Sequence, residues 1–379
     1  MTLKNKFRIL HIFDDSVIAL KAIFLFEEID EFQHEYIVIS DDATKYSDNL
    51  PKTVKLSVLK NNSKLWKELK NEIVKYDIVF LQALSFAKAK ALLWTNTKNK
   101  TLIWALWGYD LYNFIGYIGK SKKYATTIVK KSLKQKILDF YTYNIIYKSV
   151  ARKIDICEFL LETDFNLLKK HAKTNAIWMS NCYQFLEDYT NLYENYLITN
   201  NYIMVGNSST PSNNHELVFQ KIKTISDRKI ICPLSYGDTQ YGKKIIALGN
   251  SIFHSNFFPI TEFMKMDEYL ALLKKCSHFI MGHERQQAFG TIVLAAYLGS
   301  KVFLQKNNPL YEWFISNGVI VYDINQNNFE QEIIVKQTKE QTNKNRSALF
   351  NVLSKQNVVS KQREIILKAI ELNNQNATT

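Results

Sequence analysis

At 379 residues, with 46% hydrophobic and 13% aromatic side chains, the chain is too apolar for disorder and too long for one small core. The four cysteines, Cys157, Cys182, Cys232 and Cys276, form no C-x-x-C pair, so no zinc or dithiol signature is present and a reducing compartment is expected. The formal net charge of +13 points to an anionic partner: nucleic acid, anionic lipid or a phosphorylated substrate.

From the N-terminus, the apolar run ending at Asp14-Asp15 is too short for a signal peptide and reads as a first strand, Phe7–Phe13. Tyr36–Ile39, Ile78–Leu81 and Leu102–Leu106 read as further buried strands, alternating with helical spacing over Val17–Glu28, Leu65–Lys75 and Ala87–Trp94. Ile154–Cys157 and Ala176–Met179 complete this half. A polar, weakly patterned stretch, 181–200, then suits a linker. A second alternation follows, with strands Tyr202–Val205, Ile230–Leu234, Phe279–Met281 and Val302–Leu304. Its helices are expected over His215–Ile225, Lys243–Leu248, Asp267–Lys275 and Gln286–Leu298, with Asn213 and Asp267 as start signals. A last helix, about Val358–Leu372, precedes a polar tail expected to fray. The pattern predicts an α/β protein of two Rossmann-like, doubly wound domains facing a cleft: residues 1–180 and 201–350, with 351–379 as C-terminal helix and tail. No uncharged apolar run reaches the roughly 18 residues a membrane span needs, so a soluble or peripheral protein is expected.

Two strand-to-helix turns carry anion chemistry. Val205-Gly206-Asn207-Ser208-Ser209-Thr210 places a glycine and hydroxyl donors before a helix, where backbone N–H groups favour phosphate. Met281-Gly282-His283-Glu284-Arg285-Gln286-Gln287 adds a guanidinium able to hold a diphosphate bidentately. Neither string is a standard phosphate motif, and an ordinary turn stays open for both. No D-x-D occurs, which favours a metal-independent site over one using paired carboxylates. Asp14, Asp15 and Asp110 follow strands of the first half and are candidate general bases; routine capping is the alternative. Lys120, Lys122, Lys123, Lys130, Lys131, Lys134 and Lys136 crowd a segment beside Tyr117, a mixture suited to headgroups and acyl chains or to a solvated face. A nucleic-acid binder would explain the charge, but no zinc finger, helix-turn-helix or RNP signature is present.

Four strings together resemble one family. They are Trp104-Ala105-Leu106-Trp107-Gly108-Tyr109-Asp110-Leu111-Tyr112, Val205-Gly206-Asn207-Ser208, Tyr269 through Cys276, and Arg285-Gln286-Gln287 through Gly290-Thr291. Their order over most of the chain resembles the 4-acetamido-4,6-dideoxygalactose transferases of enterobacterial common antigen synthesis, glycosyltransferase family fifty-six. The resemblance implies a GT-B fold with an N-terminal acceptor domain and a C-terminal donor domain. It implies a dTDP-activated deoxyamino sugar as donor and an undecaprenyl-diphosphate-linked saccharide as acceptor, at the cytoplasmic face of the bacterial inner membrane, with no cofactor. Gly206, Asn207, Ser208, Ser209, Arg285, Gln286, Gln287, Gly290 and Thr291 would then meet the diphosphate. Glu262 and Phe263, with Pro233 and Tyr236, would meet the nucleoside. A UDP- or GDP-linked sugar on a lipid or lipopolysaccharide acceptor is the nearest alternative.

Overall fold

The computed structural model describes residues 7–42, 44–47, 49–119, 131–187, 198, 200–225 and 227–378. The chain divides into two units: one takes residues up to 120, 132–184 and everything from 355 onward, the other residues 185–354.

The first unit is built on seven strands: β1 (Arg8–Asp14), β2 (Gln33–Ile39), β3 (Lys55–Leu59), β4 (Ile78–Gln82), β5 (Thr101–Ala105), β6 (Ile156–Glu158) and β7 (Ile177–Met179). All pair in parallel, in the order β3-β2-β1-β4-β5-β6-β7. β4 and β5 are buried along their whole length because helices cover both faces of the sheet, which is why they read as continuous apolar runs. The winding reverses between β1 and β4, and β1 pairs Ile9 with His34 on one side and Ile78 on the other. Such reversals open a crevice at the carboxyl ends of the strands.

The second unit repeats the plan with β8 (Tyr202–Val205), β9 (Ile230–Pro233), β10 (Phe257–Ile260), β11 (Cys276–Met281), β12 (Lys301–Leu304) and β13 (Tyr322–Asp323). Its order, β10-β9-β8-β11-β12-β13, reverses between β8 and β11. The Gly206 and Arg285 turns follow those two neighbouring strands.

Several expectations are corrected. β3, β10 and β13 were not readable as strands. β3 is a five-residue edge strand of mixed polarity and only part-buried, β10 carries Pro259 on a sheet edge where a missing N–H is tolerated, and β13 has two residues. The helix expected from Gln286 begins at Phe289, because Ala288 takes a left-handed conformation (φ 57°) that separates it from the preceding loop. Asn214, also left-handed, stands at the helix start expected of Asn213, whose side chain serves the Gly206 loop instead. The C-terminal helix runs Lys355–Thr378 without fraying at 373: Asn373 donates to the carbonyls of Asp77 at 3.1 Å and Asn99 at 3.3 Å. Its apolar side, Ile365, Ile366, Ala369 and Ile370, lies in the core of the first unit with Ile9, Ile78 and Ile103. Of the linker expected at 181–200, residues 188–197 and 199 lie outside the described residues.

Candidate functional site

In the second unit, the loops after β8 and β11 are joined by side chains. Gly206 has φ +69°, a conformation that suits glycine, and lets the chain turn directly over His215. Asn213 stabilises that turn, accepting from the Asn207 N–H at 3.1 Å and donating to Ser208 O at 3.0 Å and Thr210 Oγ1 at 2.8 Å. Gln287 reaches across from the other loop: its Nε2 donates to Asn207 Oδ1 at 2.7 Å, and its Oε1 accepts from Ser212 Oγ at 2.8 Å. Arg285 is buried and donates from Nη2 to the same Ser212 hydroxyl at 3.2 Å. Asn207 Nδ2 donates to the Tyr236 hydroxyl at 2.7 Å. One connected network thus holds a guanidinium, three carboxamides and a phenol at the switch point of the sheet.

Beneath it lie two neutral histidines. Burial holds the His215 and His283 pKa values down at about 3, and the nearby Arg285 charge adds to the effect at His283. Asn308 Nδ2 donates to His283 Nδ1 at 2.7 Å, which leaves the proton on Nε2; that buried N–H meets no acceptor among the described residues. An orphaned donor beside a guanidinium is an arrangement that an anion satisfies.

The other diphosphate candidates divide. Ser208 and Ser209 are buried, and the Ser209 hydroxyl is spent on Tyr236 O at 2.7 Å. Gly290 and Thr291 fall in the first turn of the helix Phe289–Leu298, where the Thr291 hydroxyl pairs with Tyr269. Gln286 lies in the β11 loop, part-buried. Of the nucleoside candidates, Tyr236 joins the network, whereas Pro233 is buried within β9. Glu262 and Phe263 follow β10, two strands away from β8, and Phe263 is 82% exposed. Sequence reasoning missed Ser212, which joins the two loops; a polar run of Ser, Thr, Pro and Asn was its only signal.

In the first unit the three candidate bases differ sharply. Asp110 is buried and accepts from Trp104 Nε1 at 2.7 Å, Leu84 N at 2.9 Å and Trp107 N at 3.1 Å. Burial raises its pKa, and it fastens the turn between β5 and the helix Tyr109–Gly119 rather than facing solvent. Burial also tends to raise Asp15, but hydrogen bonds from Lys45, Tyr46 and Ser40 prevail and hold it at about 2. Asp14 lines an open cleft of about 1010 Å³. Its Oδ2 meets Lys88 Nζ at 3.0 Å and the Tyr109 hydroxyl at 3.1 Å. Lys88 is fully buried and also donates to Gln82 O at 2.7 Å and Ala83 O at 3.2 Å. Ala83 is left-handed (φ 58°), a strained conformation of the kind that clusters at functional sites.

Of the lipid-facing candidates, Lys120, Lys122, Lys123 and Lys130 lie outside the described residues. Tyr117 packs inward, its ring 5.2 Å from that of Tyr143. Lys131 is exposed just before a helix, Leu133–Phe140, on which Lys134 and Lys136 are exposed beside Leu133 (75% exposed), Ile137 (63%) and Phe140 (55%), and which is continued by a π-helical turn, Tyr141–Tyr147. No helix among the described residues is long and apolar enough to cross a membrane.

Two parallel Rossmann-like sheets, each with polar loops gathered at its switch point, define the GT-B fold. Solved structures of that architecture match almost the whole chain. A glycosyltransferase from Rickettsia africae has a TM-score of 0.63 at 15% identity, over 97% of this chain and 99% of its own. Sucrose-phosphate synthase from Thermosynechococcus elongatus has 0.64 at 10%, over 97% and 100%. Anabaena Alr3699/HepE, in complex with UDP and glucose, has 0.55 at 13%, over 98% of both chains. At such identities the likeness shows the fold. The family model for 4-alpha-L-fucosyltransferase, glycosyl transferase group 56, matches residues 159–364, more than half of the chain, and the protein belongs to that family.

Proposed function

We propose that the protein transfers 4-acetamido-4,6-dideoxygalactose, or a close deoxyamino sugar, from a dTDP-linked donor to an undecaprenyl-diphosphate-linked saccharide in surface polysaccharide synthesis. That sugar is a fucose-type 6-deoxyhexose, in keeping with the family's description. The observation that carries the donor half is the hydrogen-bonded junction of the β8 and β11 loops around Arg285, Ser212, Gln287 and Asn207. Transfer forms a bond from the acceptor oxygen to the anomeric carbon and breaks the bond from that carbon to the β-phosphate. The acceptor proton goes to a base, and the leaving nucleoside diphosphate gathers charge. Arg285 and the amides beside it are fixed donors for that charge, so the reading is metal-independent. Asp14 is the proposed base, because Asp15 is saturated with donors and Asp110 is enclosed. The exposed Leu133–Phe140 face with its lysines supports attachment at the inner face of the cytoplasmic membrane, where a lipid-linked acceptor resides.

Calorimetric titration with dTDP, UDP and GDP tests the donor. One nucleotide should bind, and Arg285→Ala should weaken it by roughly 10- to 100-fold, the worth of one or two charge-assisted hydrogen bonds. Absence of binding by all three, or an unchanged affinity in the variant, removes the proposal. A UDP-linked donor is the second reading, favoured by the Anabaena relative captured with UDP and glucose.

A further inference from the structure

The loop after β11 rests on a fixed hydrogen-bond relay. Asn308 caps the helix Pro309–Ser316, its Oδ1 accepting from the Leu310 N–H at 2.9 Å. An amide whose oxygen is so engaged offers its NH2 on the other side, and Asn308 Nδ2 meets His283 Nδ1 at 2.7 Å and the His283 carbonyl at 2.9 Å. Nδ1 is therefore the acceptor, and the ring proton sits on Nε2. His283 has no exposed surface, and Asn308 exposes 1%. The Arg285 carbonyl bears on the ring but completes no hydrogen bond with Nε2. The same loop is held one residue earlier, where Gln305 Nε2 and Asn214 Nδ2 both donate to the Gly282 carbonyl at 2.8 Å.

The relay also fixes charge. A second proton on the ring would need Nδ1, which already faces a donor, so protonation has to break the Asn308 contact. The charged and titratable groups that act on the ring oppose it as well: Arg285 on the same loop and His215, itself neutral, on the helix His215–Ile222. Enclosed as it is, the ring acts on an anion at Arg285 through the loop and its own charge state, not by contact. An imidazolium there would repel the guanidinium that donates to Ser212.

We infer that Asn308 and His283 are positioning residues for Arg285: Asn308 locks the imidazole as the uncharged Nε2–H tautomer, and the lock holds the Arg285 loop in place and keeps nucleotide binding free of histidine titration. This rests on the donor reading of the Arg285 junction and deepens it by naming what sets the charge there.

Nitrogen-15 NMR of the imidazoles in the full-length protein, with His283→Gln to assign the signal, reads the lock directly. The His283 ring should show a bare Nδ1 and a protonated Nε2, unchanged between about pH 5 and 8. Asn308→Asp keeps the helix cap, because a carboxylate also accepts from the Leu310 N–H, but it turns an acceptor towards Nδ1. The proton should then move to Nδ1. Whichever of dTDP, UDP and GDP the parent binds should bind the variant at least about tenfold more weakly at about pH 8, where the new carboxylate is uncompensated. That deficit should shrink as the pH falls and the variant's imidazole takes up a second proton, an effect that loss of packing alone would not produce. Comparing variant with parent at each pH cancels the titration of the nucleotide's own terminal phosphate, near about pH 6. A parent ring that titrates between about pH 5 and 8 or carries its proton on Nδ1 overturns the assignment and leaves the nucleotide site standing, as does a variant deficit that is absent or flat with pH. The parent spectrum decides the lock even where the variant fails to fold. A parent that binds none of the three nucleotides overturns the donor reading, and this assignment with it.

Discussion

Replacing Gly206 with alanine perturbs the second unit at one atom. At φ +69° an L side chain costs about 1–2 kcal/mol from its own backbone. The added Cβ would also stand 2.5 Å from His215 Nε2 and 3.0 Å from Asn213 Oδ1. His215 cannot swing away freely, being fully buried with Nδ1 held to the Tyr241 hydroxyl at 3.1 Å. Forcing a packed side chain aside costs a further ~1–3 kcal/mol. Together these give roughly 2–5 kcal/mol, or a fall in Tm of at least about 4 °C for a domain of this size. Displacing Asn213 also loosens the Asn207 N–H, so nucleotide affinity should drop with stability. Scanning calorimetry and nucleotide titration of Gly206→Ala measure both. In a His215→Ala background the overlap with the imidazole is gone and the backbone strain remains, so Gly206→Ala should cost less stability there than in the parent. A Tm within about 1 °C of the parent, with unchanged nucleotide affinity, would refute the reasoning.

Three further outcomes are expected. Asp14→Asn should lower kcat by about 10²- to 10⁴-fold with nucleotide Kd unchanged, the signature of a lost general base, and steady-state kinetics beside a donor titration will show it. Ile137→Asp with Phe140→Asp should reduce co-sedimentation with anionic vesicles while the circular dichroism spectrum stays the same; undiminished sedimentation would assign the lipid contact elsewhere. Burial lifts Glu158 to about 7, against hydrogen bonds from Tyr183, Gln362 and Asn181 that lower it. A folded-state carboxyl above its unfolded value of 4.5 binds more protons folded than unfolded, so this residue's contribution to stability declines as pH rises from there through about 7. Glu158→Gln should remove that slope, and its Tm should gain on the parent's between pH 4.5 and pH 7.

Much of the architecture was legible because buried parallel strands leave unmistakable runs: Ile78-Val79-Phe80-Leu81 and Tyr202-Ile203-Met204-Val205 announce themselves. β3 did not, since only part of Lys55-Leu56-Ser57-Val58-Leu59 is covered and it reads as loop. The Gly206 and Arg285 turns were readable as strand-end turns from their residue types. Their union was not, because it depends on β8 and β11 being neighbours across a reversal of winding, which no local pattern encodes. The Asp110 position shows the opposite failure. A carboxylate in a Trp- and Tyr-rich string looks catalytic, yet Trp104 and two backbone N–H groups occupy it. The cleft beside Asp14 was invisible for a third reason: its wall collects residues from the ends of five strands, spread over 95 positions from Asp14 to Tyr109.

The helix Lys355–Thr378 closes a core begun more than three hundred residues earlier, with Ile365 and Ile366 among Ile9, Ile78 and Ile103. During synthesis the first unit therefore waits, its hydrophobic floor open, until the ribosome has delivered nearly the whole polypeptide. A stop codon just before 355 would strip that floor from the first unit while sparing the second, so nonsense alleles near the end of the gene should behave as folding mutants of the beginning.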